Sequence, residues 1–112
     1  MDNSKMDYFA LPGSVITFDS IVNQVCDFFK VKREQVFSRS RKREYLDPRQ
    51  IIHYLTKKHF PRTSLAKIGQ MSGGWDHATV LSSNRTVKNL SETSEFYKTQ
   101  IVLIEQKING TI

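Results

Sequence analysis

Residues 73–81 read Gly-Gly-Trp-Asp-His-Ala-Thr-Val-Leu, and this stretch decides the fold. The paired glycines end one helix, because glycine adopts positive φ angles without steric cost. Asp76 can then cap the next helix with its carboxylate. Just upstream, residues 64–71 (SLAKIGQM) predict a short helix. Helix, glycine turn and helix form a helix-turn-helix unit, whose second helix typically enters the DNA major groove.

The rest of the chain also carries helical spacing of its apolar side chains. Thr17 can cap a first helix, whose apolar residues recur three and four positions apart as far as Phe29. Four more segments are predicted to be helical: a turn at 33–37, a helix from Asp47-Pro48 to Pro61, a recognition helix from Asp76 to about Leu90, and a last helix at about 93–108. In the recognition helix, Val80, Leu81 and Val87 are expected to face the core. No strand alternation is visible. The expected fold class is therefore all-α, a helical bundle with a helix-turn-helix and an additional C-terminal helix.

Length and composition favour one small domain. The chain has 112 residues, of which 38% are hydrophobic, enough for a single modest core. We expect a tail at 1–14, one helical domain at 15–108 and a short tail at 109–112. The single Cys26 excludes an intrachain disulfide and is expected to be a buried thiol. No apolar run approaches the roughly 18 residues of a membrane span, so no membrane partner is expected.

Positive charge is concentrated in one part of the chain. Residues 30–62 hold 11 Lys and Arg against 3 Asp and Glu, a local net charge of +8, whereas the whole chain carries +6. A field of this sign attracts polyanions, of which DNA is the strongest candidate. A well-solvated surface is the alternative explanation of the charge alone.

Several ordered motifs carry a family resemblance. The matching segments beside the glycine pair are 16–31, the basic loop Ser38–Arg43, 48–50, 64–65 and 68–69. Together they resemble the C-terminal DNA-binding domain of the DnaA family of bacterial replication initiators, over about residues 16–90. The resemblance implies double-stranded DNA as the partner, a role in replication initiation or its regulation, and a nucleoid-associated protein of the bacterial cytoplasm.

The candidate base-reading residues lie at two places. Asp76 can accept a hydrogen bond from a cytosine amino group, and the methyl groups of Ala78 and Thr79 can contact a thymine methyl. His77 can donate to a base or a phosphate. By resemblance, Arg41 is the arginine that enters the minor groove, where negative potential is enhanced.

A larger group is expected to hold phosphates, which positions the protein without reading sequence. Gln50, Ser64 and Leu65 match family positions at the DNA backbone, and Arg49 and Gln50 are expected at a helix N-terminus, which favours an anion. The full set is Arg39, Lys42, Arg43, Arg49, Gln50, Lys57, Lys58, Ser64, Leu65 and Arg85.

Two positions depart from the family pattern. Trp75 stands where an arginine is usual and Ala78 where a threonine is usual, so the preferred DNA sequence is expected to differ from the family's box. Trp75 can stack on a sugar or brace the turn.

The sequence disfavours some functions other than specific DNA binding and leaves two alternatives open. The five glycines form no phosphate-binding loop, and no nucleophile and base form a recognisable set, so we expect neither an enzyme nor a cofactor. His53 and His59 stand six residues apart on different helix faces, which disfavours a metal site. The alternatives are nonspecific DNA binding and a protein-interaction or self-association module. Such a module would use either the C-terminal helix, with its apolar residues 101–104, or the surface around Trp75.

Overall fold

The computed structural model describes residues 16–110, and these form six helices with no strand. The predicted tail at 1–14 and the last two residues lie outside the described part. The helices are α1 (Phe18–Phe29), α2 (Arg33–Val36), α3 (Arg43–His59), α4 (Leu65–Met71), α5 (His77–Thr93) and α6 (Glu95–Ile108). The all-α expectation is confirmed. Within residues 16–110, no helix has both the length and the apolar character that crossing a bilayer requires.

The core forms around α3, which packs against α1, α2, α4 and α5, while α6 closes the bundle against α1 and α5. Thr17 caps α1 as predicted: its Oγ1 accepts from the Ser20 amide at 3.0 Å, and Ser20 Oγ accepts in return from the Thr17 amide at 2.9 Å. The main apolar cluster contains Ile21, Val22, Val25, Cys26, Val36, Ile51, Ile52, Leu55, Val87, Ile101, Ile104 and Ile108. Helical spacing alone therefore identified most of the core.

The helix-turn-helix is α4, the glycine turn and α5. The carbonyl oxygen of Gly69 accepts from the amides of Gly74 and Trp75, both at 2.9 Å. A Cβ at Gly69 would collide with the Trp75 carbonyl oxygen, so only glycine lets the turn come this close to α4. Gly73 has a φ of 109°, a conformation that side-chain-bearing residues rarely adopt. The prediction of two helices joined by a glycine turn is confirmed.

The start of α3 corrects one prediction. The helix begins at Arg43 rather than at Asp47-Pro48, because the Lys42 carbonyl already accepts from the amides of Tyr45 and Leu46, at 2.9 and 2.8 Å. Pro48 lies inside the helix, where its missing N–H removes one backbone hydrogen bond of the second turn. The expectation that Arg49 and Gln50 stand at a helix N-terminus is therefore wrong, and the irregular basic segment is confined to residues 37–42.

The buried face of α5 corrects a second prediction. Val80 and Val87 are in the core as expected, but Leu81 is 37% exposed and Ser83 is buried instead. Residues 80, 83 and 87 share the face of α5 that meets α3, whereas Leu81 is rotated away from it by one position. A polar residue is tolerated at Ser83 because α3 presents a histidine to it.

His53 joins three helices in the interior. Its Nδ1 lies 2.9 Å from Ser83 Oγ on α5, and its Nε2 lies 2.8 Å from Ser72 Oγ at the end of α4. Ser72 Oγ donates to the Ile68 carbonyl at 2.8 Å, so it accepts from the His53 Nε2–H, and Nδ1 accepts from the Ser83 hydroxyl. Burial, together with the charge of Arg49, lowers the pKa of His53 to about 4. The ring is therefore neutral at physiological pH.

The depressed pKa of His53 predicts an acid-sensitive fold. The unfolded state binds a proton below pH 6.5 and the folded state only below about 4, so the free energy of unfolding falls as pH drops through that window. The fall amounts to about 3 kcal/mol. Urea unfolding at pH 7, 5.5 and 4.5 measures it.

A matched pair of variants isolates the effect. His53→Gln is expected to flatten this dependence, whereas His77→Gln, at an exposed position, keeps the wild-type slope. Equal slopes in the wild type and His53→Gln would contradict the assignment.

Candidate nucleic-acid interface

The leading end of α5 is open to solvent. Asp76 caps the helix by accepting from the Thr79 amide at 2.9 Å, and this hydrogen bond lowers the pKa of the carboxyl group. His77 and Ala78 are exposed and Thr79 is half-exposed. The helix therefore presents one carboxylate, one imidazole and two methyl-bearing side chains beyond its capped end. These are groups that can meet base edges in a groove.

Trp75 lies between the glycine turn and the basic loop. The guanidinium carbons of Arg39 and Arg49 lie 4.1 and 4.6 Å from the centre of its indole ring. Arg39 also donates from Nη2 to the carbonyl oxygens of Gly73 at 3.2 Å and Gly74 at 3.1 Å. Of the two roles considered for Trp75, bracing the turn agrees with these contacts, because its ring is already occupied by two cations.

Arg49 is a structural residue rather than an open cation. Its side chain points from the second turn of α3 into the molecule, and the residue is only 3% exposed. Its Nε donates to the Val36 carbonyl at 2.7 Å, and its Nη2 donates to the carbonyls of Ser38 and Ser40, both at 2.9 Å. Burial, and secondarily the charge of Arg39, lowers its pKa. The guanidinium of Arg49 is engaged in shaping the basic loop, and its phosphate contact stays a prediction.

Arg41 is the open cation of that loop. It is exposed and forms no hydrogen bond or ion pair with the other described residues. A surface cavity of ≈390 Å³ brings it together with the start of α5, and its lining is Arg39, Arg41, Leu46, Arg49, Trp75 and Thr79. Arg41 of the basic loop and Thr79 at the start of α5 are 38 positions apart in sequence, and they thus lie on one continuous surface.

A second cavity extends this surface along α5. It has a volume of ≈270 Å³ and is lined by Leu46, Arg49, Gln50, Asp76, Ala78, Thr79, Ser82 and Ser83. Gln50 therefore lies beside the candidate base-reading residues although it is not at a helix end. Ser82 was not predicted from the sequence as part of this surface. Its position one helical turn after Ala78 and Thr79 places it on the same face of α5 and could have indicated it.

The remaining predicted cations differ in whether their charged groups already have partners. Lys42 is exposed at the start of α3, and Arg43 pairs with Asp47 at 3.3 Å. Lys57 donates to the carbonyls of Pro61 and Thr63, at 2.9 and 2.8 Å, and so holds the segment before α4. Lys58 pairs with Glu105 of α6 at 3.0 Å.

Eight predicted residues line neither cavity: Lys42, Arg43, Lys57, Lys58, Ser64, Leu65, His77 and Arg85. Ser64 caps α4 by accepting from the Lys67 amide at 3.0 Å, Leu65 is half-buried at the start of that helix, and Arg85 is exposed further along α5. The structure thus gathers Arg39, Arg41, Gln50, Asp76, Ala78 and Thr79 into one surface.

Comparison with known proteins identifies relatives over most of the chain. The family model described as the bacterial DnaA protein helix-turn-helix matches residues 18–87. The chromosomal replication initiator protein DnaA of Bacteroides fragilis is 39% identical over 90 residues, which is 80% of this chain and 19% of that protein. Its counterpart in Porphyromonas gingivalis is 38% identical over 93 residues, covering 83% of this chain and 20% of the relative. The DnaA of Leptothrix cholodnii is 31% identical over 104 residues, covering 93% and 20%. The chain spans about a fifth of the length of these curated relatives.

The role of Arg49 predicts a large cost of a conservative change. In Arg49→Lys a single ammonium cannot reach all three carbonyls, so buried acceptors lose their donors. The free energy of unfolding is expected to fall by about 2–4 kcal/mol, since hydrogen bonds to charged groups contribute about 1.5–3 kcal/mol each. Amide exchange of residues 37–42 is expected to accelerate.

Arg43→Lys is the matched control, because Arg43 is exposed and its ion pair is at the surface. It should leave both the urea midpoint and the exchange of the loop close to wild type. Similar losses in the two variants would argue against a special role of Arg49.

Proposed function

Because the chain belongs to the DnaA family, where it corresponds to the helix-turn-helix domain, we propose that it binds double-stranded DNA sequence-specifically in bacterial replication initiation or its regulation. The observation that carries this proposal is the cavity shared by Arg41 and Thr79. It supports one duplex touching the basic loop and the leading end of α5 together. Such binding implies association with the nucleoid.

The major groove is read by the start of α5. Asp76 keeps one carboxylate oxygen for a cytosine amino group after Oδ1 has accepted the capping bond. Ala78 and Thr79 offer methyl groups to thymine, and His77 donates to a base or a phosphate. Ser82, lining the cavity beside Ala78, joins this set as a further base contact.

The minor groove receives Arg41. Its guanidinium has no partner among residues 16–110, so insertion costs no existing ion pair. Narrow, A·T-rich minor grooves favour an inserted arginine through their enhanced negative potential. With Trp75 and Ala78 in place of the usual arginine and threonine, the preferred site differs in sequence from the family's box.

Phosphate contacts position the protein. Lys42, Arg43 and Gln50 flank the reading surface, and Arg39 has an exposed guanidinium beside the turn. Ser64, Leu65 and Arg85 are retained as contacts to more distant phosphates. Lys57 and Lys58 are weaker candidates, since carbonyls and Glu105 already engage their ammonium groups.

The outer face of α6 favours a second function, binding of a protein partner or of a second copy. Phe96 is 74% exposed, and Val102 and Leu103 are each 43% exposed. Single exposed apolar residues are common, but three on one helix are a candidate contact surface. Light scattering with and without DNA distinguishes the two functions, because a stable dimer indifferent to DNA supports the second.

Specific binding predicts two classes of variant. A duplex is selected from a random library by the wild-type protein and compared with a shuffled duplex of the same composition. Arg41→Ala and Thr79→Ala are expected to weaken binding to the selected duplex by about tenfold, with little effect on the shuffled one. Lys42→Ala is expected to weaken both equally and to reduce the slope of log affinity against log salt by about one.

Lys107→Ala, an exposed lysine on the last turn of α6, is the charge-matched control and should resemble the wild type apart from a small general loss. Equal affinity of the wild-type protein for the selected and shuffled duplexes, measured by fluorescence anisotropy at two salt concentrations, would refute specific binding.

A further inference from the structure

We infer that Trp75 is a positioning residue for DNA recognition: its indole ring fastens the basic loop (residues 37–42) to the glycine turn, so that Arg41 and the start of α5 meet DNA as one rigid unit. This inference rests on the proposed function. It assigns to Trp75 an effect exerted through Arg41 rather than through a DNA contact of its own.

Trp75 has contacts both to the glycine turn and to the basic loop, which supports a fastening role. Towards the turn, Trp75 is linked to α4 by its amide, which donates to the Gly69 carbonyl at 2.9 Å. Towards the loop, the guanidinium of Arg39 lies 4.1 Å from the ring centre and donates to both glycine carbonyls. Only Ser40 separates Arg39 from Arg41 in the chain, so fixing Arg39 restricts the positions that Arg41 can reach.

Arg49 adds a second attachment to the same part of the loop. Its guanidinium lies 4.6 Å from the ring centre and holds the carbonyls of Ser38 and Ser40, on either side of Arg39. No carboxylate pairs with Arg39 or Arg49 among residues 16–110. The negative face of the indole therefore offsets the repulsion of two nearby like charges. Without the indole ring, the electrostatic repulsion between the two guanidinium groups is not offset, and it favours their separation.

A loop that is ordered before DNA binds favours binding. Residues 37–42 contain no regular secondary structure, and ordering such a segment at the moment of binding costs conformational entropy. A loop already fixed by Trp75 avoids that cost. The benefit of the Arg41 contact thus depends on Trp75, which predicts energetic coupling between two residues that need not touch.

A double-mutant cycle tests the coupling. The affinities of the wild type, Trp75→Ala, Arg41→Ala and the double variant are measured on the selected duplex and its shuffled counterpart. We expect Arg41→Ala to weaken selected-site binding about tenfold in the wild-type background, but less than about threefold in the Trp75→Ala background. Trp75→Phe keeps an aromatic face for the guanidinium groups. In this background Arg41→Ala should therefore keep most of its tenfold effect on binding. Lys107→Ala changes an exposed side chain on α6, outside the proposed DNA-binding and protein-binding surfaces, and should leave the full tenfold effect of Arg41→Ala.

The outcomes separate this inference from the proposed function. An equal effect of Arg41→Ala in both backgrounds overturns the positioning role, because a direct DNA contact or a general effect of Trp75 on stability would be additive. No effect of Arg41→Ala in the wild type, with no preference for the selected duplex, overturns the proposed function itself. If Trp75→Ala is unfolded in a thermal melt, the same cycle with Arg39→Gln decides, since that exposed side chain can be removed without opening the core. A smaller effect of Arg41→Ala in the Arg39→Gln background supports the inference, and an equal effect in both backgrounds overturns it.

Discussion

The buried guanidinium of Arg49 is the interaction on which the geometry of the interface depends. Burying a charge is costly unless it is fully hydrogen-bonded, and here three carbonyl oxygens and an indole face compensate it. Its helix is fixed in turn by Ile51 and Ile52, which are completely buried. The irregular loop before α3 therefore takes its shape from a residue anchored in the core, and it gains a defined conformation without any backbone ladder of its own.

His53 extends the same principle to the other side of α3. It follows Arg49 by four positions, so the two side chains lie on one face of the helix. One organises the basic loop, and the other bridges the end of α4 and the buried face of α5 through Ser72 and Ser83. Both sites are polar and interior, and the first affects the second, because the charge of Arg49 helps to hold the imidazole neutral. A single helix face thus sets the position of both parts of the candidate interface.

The distribution of positive charge takes on a different meaning once partners are known. Arg49 and Lys57 donate hydrogen bonds to carbonyl oxygens, and Lys58 forms an ion pair with Glu105 of α6. Arg41 and Lys42 remain open in the loop. A polyanion therefore meets fewer free cations than the local charge of +8 indicates, and one of them, Arg41, lies beside the start of α5. This agrees with the proposed recognition by a few well-placed groups.

The helices, the glycine turn, the capping by Thr17 and Asp76 and most of the core were predictable, because each depends on residues within one or two turns of each other. The residues of the leading end of α5 were identifiable for the same reason. The start of α3, the exposure of Leu81 and the burial of Arg49 were not. The exposure of Leu81 and the burial of Arg49 depend on partners distant in sequence, namely the histidine that accommodates Ser83 and the loop carbonyls that accept from the guanidinium. The start of α3 is local, but the Lys42 carbonyl begins the helix before the Asp47-Pro48 signal that the sequence offers. Local sequence carries the periodicity of a helix, but whether a polar side chain faces water or the interior is decided by partners that only the folded chain brings within hydrogen-bonding distance.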